Sequence, residues 1–159
     1  MDSMKRTPLL KLCVVAIALT AVGCAGPVPG TLGVQAETGA LVACPDSPNC
    51  VSSRADDAVH GVDAFQIAGD VAAGWTSIAE GVAAVPGVRV ITQTDRYLHA
   101  ESTSLLMRYV DDLELVLDPA TGRVDVRSAS RVGVGDMGVN FARVTTLRTL
   151  LTNKGVLAE

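Results

Sequence analysis

The sequence predicts an α+β domain: a four-stranded antiparallel sheet with one helix before it and one after it, packed on one face. Three observations carry that prediction. An apolar stripe of helical period runs from Phe65 to Val85, four β-rich segments punctuated by turn signals follow, and a second helical stripe closes the chain. No crossover helix interrupts the strands, so neighbours pair antiparallel and the helices share a face.

The first helix rests on Ile67, Val71, Trp75, Ile78, Val82 and Val85, spaced four or three apart, and Pro86-Gly87 ends it. Val88 to Thr92 is the first strand, and Thr94-Asp95-Arg96 turns the chain into a second from Tyr97 to Thr103. Met107 to Leu117 is the third, where Leu113, Leu115 and Leu117 alternate with Asp112, Glu114 and Val116. Asp118-Pro119-Ala120-Thr121-Gly122 is a hairpin turn, with Pro early and Gly last. The fourth strand, Val124 to Arg131, alternates Val124 and Val126 with Asp125 and Arg127. A glycine-rich loop then leads to a helix from about Asn140 to Asn153, with Val144, Leu147 and Leu151 as its apolar face and Gly155 at its stop.

Upstream of the domain the chain reads as an address. Lys5, Arg6 and Lys11 precede an apolar run of eleven residues, Leu12 to Val22. That is shorter than the roughly 20 residues needed to span a bilayer and suits the core of a signal peptide. Ala21-Val22-Gly23-Cys24 resembles a bacterial lipobox, although its first position holds Ala where Leu is usual. The expected organisation is therefore a signal peptide over residues 1–23, a Gly/Pro/Ala-rich tether over 24–43 lipidated at Cys24, and a single α+β domain over 44–159. Such a protein is exported and held to the bacterial cell membrane or outer membrane by its lipid.

Composition narrows the function. Removing residues 1–23 takes away three positive charges and one negative, so the formal charge falls from −4 to −6. An acidic domain with 3% aromatic residues is a poor partner for nucleic acid, which needs basic surface and stacking rings. Cys44 and Cys50 are the cysteines left in the domain, and export makes a small-loop disulfide the default. Two alternatives use thiolates: Cys50 as a nucleophile with His60 or His99 as base, or zinc on both cysteines and a histidine. Neither has a local signature, and no metal or cofactor is expected. Gly133-Val134-Gly135-Asp136-Met137-Gly138 spells G-x-G-x-x-G, but no second parallel strand follows, as a dinucleotide fold requires. Arg131, Arg143 and the helix N-terminus form a weaker anion-site candidate, and Asp136 or Asn140 is placed to cap that helix.

Cys44-Pro45-Asp46-Ser47-Pro48-Asn49-Cys50-Val51-Ser52-Ser53 is similar to the opening motif of the domain of unknown function 1499 family. Tyr97-Leu98-His99-Ala100-Glu101 with Val110-Asp111-Asp112 resembles its central motif. The closing motif resembles Val126-Arg127-Ser128-Ala129-Ser130-Arg131-Val132-Gly133 with Asp136, Gly138, Asn140 and Arg143. Phe141 departs from the pattern, which has Arg after the Asn. The resemblance implies an exported or membrane-associated bacterial domain and implies no reaction.

Alternation places Tyr97, His99, Glu101, Arg108, Asp112, Glu114, Asp125, Arg127 and Arg131 on the face opposite the helices. The simplest expectation is a solvated face laced with cross-strand ion pairs. A ligand-binding reading draws on His99, Glu101, Asp112, Arg127, Arg131, Asp136, Asn140 and Arg143. Three function classes follow: a non-catalytic envelope module binding an envelope protein or small molecule, an enzyme centred on His99, Glu101, Asp112 and Arg127, and a lipid-handling accessory factor. The first is favoured, with no catalytic residue assigned.

Overall fold

The hydrophobic alternation read from the sequence places one apolar layer between sheet and helices. The computed structural model describes residues 25–35 and 37–158. The predicted signal segment and Cys24 lie outside the described residues. The elements are β1 (Cys50–Ser52), β2 (Phe65–Gln66), α1 (Val71–Ala83), β3 (Val88–Gln93), β4 (Tyr97–Thr103), β5 (Val110–Asp118), β6 (Arg123–Ser130) and α2 (Val139–Asn153). The sheet runs β1-β6-β5-β4-β3, with β2 also on β6, and every pairing is antiparallel.

The expected α+β class, antiparallel sheet and flanking helices are present, but the described residues form six strands where four were expected. The extra strands, β1 and β2, span three and two residues, too short to display a period. Phe65 was expected to open the first helix and instead pairs with Val124, while Ile67 bridges to Leu157. The helix begins only after Asp70, whose carboxylate accepts from the Ala73 N–H at 2.8 Å. β5 starts at Val110, not Met107, because Arg108 takes a left-handed φ of 57° in the preceding loop.

Leu98, Leu113, Leu115, Val124 and Val126 project from one side of the sheet and meet Ile78 and Val82 of α1 and Val144, Leu147 and Leu151 of α2. Each is essentially removed from water, a stabilisation of about 1.5–3 kcal/mol per large apolar side chain. Close approach depends on two helical glycines. A Cβ on Gly74 would lie 2.2 Å from Ile67 Cγ2, and one on Gly81 would lie 2.7 Å from Leu151 Cδ2.

Candidate functional site

The helix-free face is polar, as alternation requires, but it is not solvated. His99, Asp112, Glu114 and Arg127 are all buried, which corrects the expectation of an exposed ion-pair lattice. Part of the stretch whose composition suggests a tether lies against them. The Gly33 N–H donates to Glu114 Oε1 at 2.6 Å, Leu41 is buried, and Gly26 sits against Arg131 and Val132.

Two linked clusters fill this face. In the first, His99 Nε2 lies 2.8 Å from Asp112 Oδ1, and Arg131 donates through Nε and Nη2 to both Asp112 oxygens at 2.9 and 2.7 Å. Arg131 Nη2 also reaches Glu101 at 2.6 Å, and Glu101 accepts from Arg89 at 2.8 Å. Burial alone would raise the Asp112 carboxyl, but hydrogen bonds from Arg131 and His99 outweigh it and hold it below the usual carboxylate range. Burial likewise opposes, and Arg131 and Arg89 overcome, in lowering Glu101. An ionised Asp112 only accepts, so His99 Nε2 carries the proton between them. Arg131 is raised, chiefly by its bond to Asp112.

In the second cluster Glu114 accepts from Arg127 Nη1 at 2.9 Å and from the Tyr97 hydroxyl at 2.8 Å. Burial, then the Glu114 charge, push the Tyr97 phenol well above its ordinary value, so it remains a donor. Arg127 is the unsatisfied member. Its side chain is 6% exposed, and its Nε meets no acceptor among the described residues. Beside it lies a cavity of about 430 Å³ lined by Pro29, Thr31, Cys44, Asn49, Asp112, Arg127 and Arg131, among others.

The structure divides the eight candidate ligand residues. His99, Glu101, Asp112, Arg127 and Arg131 gather on the helix-free face. Asp136, Asn140 and Arg143 gather on the other side, around α2. There Asn140 Oδ1 accepts from Ser128 Oγ at 2.7 Å and from Arg143 Nη1 at 2.5 Å. Its amide donates to Asn49 O, Ser130 Oγ and Asp136, and Arg143 also reaches Asp111 Oδ2 at 2.5 Å. The cap position of α2 is Gly138 and not Asp136 or Asn140 as expected, but Asp136, two residues earlier, accepts from the backbone N–H groups of Gly138 and Asn140. Burial opposes and those bonds dominate in lowering its carboxyl. Of the other residues assigned to the polar face, Arg108 sits in the β4–β5 loop, and Asp125 pairs with Arg54 and Arg123.

Sequence reasoning missed Asp111, Glu114 and Tyr97 as ligand-side candidates, and missed Gly33 altogether. Glu114 and Tyr97 had the right alternation. Gly33 acts through a backbone donor that no side chain advertises.

Cys44 and Cys50 form a disulfide with Cα atoms 5.6 Å apart, so neither sulfur is a thiolate in this state. The bridge secures the loop that carries Asn49, whose amide reaches Gly133 O at 2.7 Å. Residues 40–151 match the family model described as Protein of unknown function (DUF1499). The chain belongs to the DUF1499 family. No curated protein and no solved structure matches it. The segments carrying the DUF1499 resemblance converge in space: the Cys44–Ser53 segment supplies the disulfide and β1, and the other two supply most of the polar network.

Proposed function

We propose that this DUF1499 chain is a non-catalytic binding module of the bacterial envelope, exported and anchored through a lipid on Cys24. Its ligand is a small anionic group, a carboxylate or phosphate, held in the cavity beside Arg127. One observation carries the reading: a buried guanidinium donates to Glu114 through Nη1, and its Nε has no acceptor among the described residues. Buried polar groups are normally satisfied, so an orphan donor beside a cavity suits a missing acceptor. Arg131 lines the same cavity together with its partner Asp112, so the guanidinium with a donor left over is that of Arg127.

The enzyme alternative finds less support. His99 is committed to Asp112, Glu101 to Arg131 and Arg89, and neither His99 nor Glu101 lines the cavity. The lipid-handling alternative needs an apolar groove between sheet and helices. That space holds Leu98, Leu113, Leu147 and Leu151 at 0–1% exposure.

Calorimetric titration of the purified protein with inorganic phosphate and with succinate tests the cavity. Arg127→Lys keeps a positive charge facing Glu114 but removes the fork, so binding is expected in the wild type and lost in the variant. Equal binding by a folded Arg127→Lys protein, or none by the wild type, refutes the assignment. The anchor is tested separately, since Cys24→Ala should abolish acylation and leave the precursor unprocessed.

A further inference from the structure

The end of the sheet nearest the N-terminus of the described chain is tipped with exposed apolar side chains. The β4–β5 loop presents Leu105 and Leu106, each 88% exposed, with Met107 beside them. The β6–α2 connection presents Val134 and a fully exposed Met137, and Phe141 follows in the first turn of α2. These segments leave the sheet side by side. Thr103 pairs with Val110 at the loop base, Asp111 pairs with Ser130, and the Arg131 N–H donates to Val110 O at 3.2 Å.

Large apolar side chains grouped at one end of a domain mark an interaction surface, because isolated exposure does not cluster this way. Backbone strain points to the same place. Among the described residues the non-glycine positions with positive φ are Arg108 at 57° and Met137 at 55°, one in each segment. Such strain concentrates where a loop is shaped for contact.

The occupant follows from where the chain enters. Gly26 packs so closely on this end that a Cβ there would lie 2.8 Å from Val132 Cγ1 and 3.1 Å from Arg131 Cβ. Cys24 is two residues away, a covalent reach of about 7 Å. A lipid on Cys24 would therefore bring this end of the domain to the bilayer. The chemistry of the loop fits that surface: an apolar Leu-Leu-Met tip, then Arg108 and Tyr109, residue types that suit the headgroup layer. The formal charge of −6 after removal of residues 1–23 leaves apolar insertion, not bulk attraction to anionic lipid, as the driving force.

We infer that the β4–β5 loop and the β6–α2 connection form a membrane-contacting surface that fixes the orientation of the anchored domain on a phospholipid bilayer. This inference rests on the proposed Cys24 anchor, and its test separates the two. The acylated protein, purified from membranes of an expressing bacterium, is reconstituted into phosphatidylethanolamine/phosphatidylglycerol vesicles containing a phospholipid with a photoreactive acyl chain. After irradiation, labelled peptides are mapped by mass spectrometry, and the N-terminal peptide is weighed to read Cys24 acylation independently. Label is expected in residues 104–109 and 133–141, with none above background at the opposite β5–β6 turn. Leu105→Ser/Leu106→Ser/Met137→Ser should lose that label while its acylation and vesicle association persist. An acylated protein whose loops take no label overturns the inference and leaves the anchor standing. Labelled loops on a protein that reaches vesicles without acylation support the surface and refute the anchor. Cross-linking of the loops to a second copy or another protein, in place of lipid, also overturns it.

Discussion

Asp111 and Asp112 are consecutive in β5, yet each engages an arginine on a different side of the sheet. Asp111 accepts from Arg143 of α2 at 2.5 Å, and Asp112 accepts from Arg131 on the helix-free side at 2.7 Å. Strand alternation forces this opposition. β5 thus carries a buried acid into both layers of the domain and must satisfy each with its own cation.

The arginines should therefore differ sharply in their effect on stability. Arg131→Ala leaves buried Asp112 without its main partner and should cost about 3–5 kcal/mol in urea denaturation. Arg89→Ala removes a largely exposed partner of Glu101 and should cost less than about 1 kcal/mol. Equal losses would show that the network is not organised around Arg131.

Asn140→Asp should be more damaging than its small change in shape suggests. The amide donates toward Asn49 O, Ser130 Oγ and the Asp136 carboxylate from a fully buried position. A carboxylate there faces an acceptor and a like charge, and should cost about 3 kcal/mol or more. Chemical denaturation of the variant reads this directly.

Acid should unfold the protein through the polar network. Asp112, Glu101 and Asp136 all have carboxyls held below their ordinary values in the folded chain. A depressed folded pKa contributes stability above the unfolded value, about 4, and loses it as pH falls through the folded value. The contribution of these three carboxylates should be constant above that point, and the urea midpoint should decline below it. In Arg131→Ala the decline should be shallower, since the guanidinium that lowers Asp112 and Glu101 is gone.

Gly74→Ala and Gly81→Ala should separate, although both place a methyl on α1. At Gly74 the methyl meets Ile67 Cγ2, a branch set directly on a stiff β-carbon. Overpacking there should destabilise by about 1–3 kcal/mol, more than the roughly 1 kcal/mol of helix propensity gained. At Gly81 the obstacle is the far end of Leu151, which can rotate aside. Thermal melts should show a clear loss for Gly74→Ala and a small change for Gly81→Ala.

The long elements were legible because each repeats its signal. β4, β5, β6 and α2 show enough alternation or helical spacing to be placed within a few residues. β1 and β2 were not, since strands of three and two residues have no period to read. Phe65 and Ile67 imitated the spacing of α1, while Asp70, the residue that caps the helix, was the better marker of its start. Alternation correctly sorted His99, Asp112, Glu114 and Arg127 onto one face but was silent on their burial. Their cover comes from a stretch without periodic pattern, acting partly through the Gly33 backbone N–H. Asp136, Asn140 and Arg143 were legible as polar residues beside a helix, but nothing in their spacing said that β5 and β6 would stand between them and His99.

The position of β6 sets an order of events for a chain synthesised from its N-terminus. β1 and β2 pair with β6, so Cys50 must wait for Ala129, and Phe65 for Val124. Neither early strand has a sheet partner until most of the chain has emerged, and closure over such separations is slow. The Cys44–Cys50 bridge spans a sequence separation of only six and is free of that delay. The covalent loop thus needs nothing from the rest of the chain to close, whereas β1 and β2 join the sheet only once β6 is present.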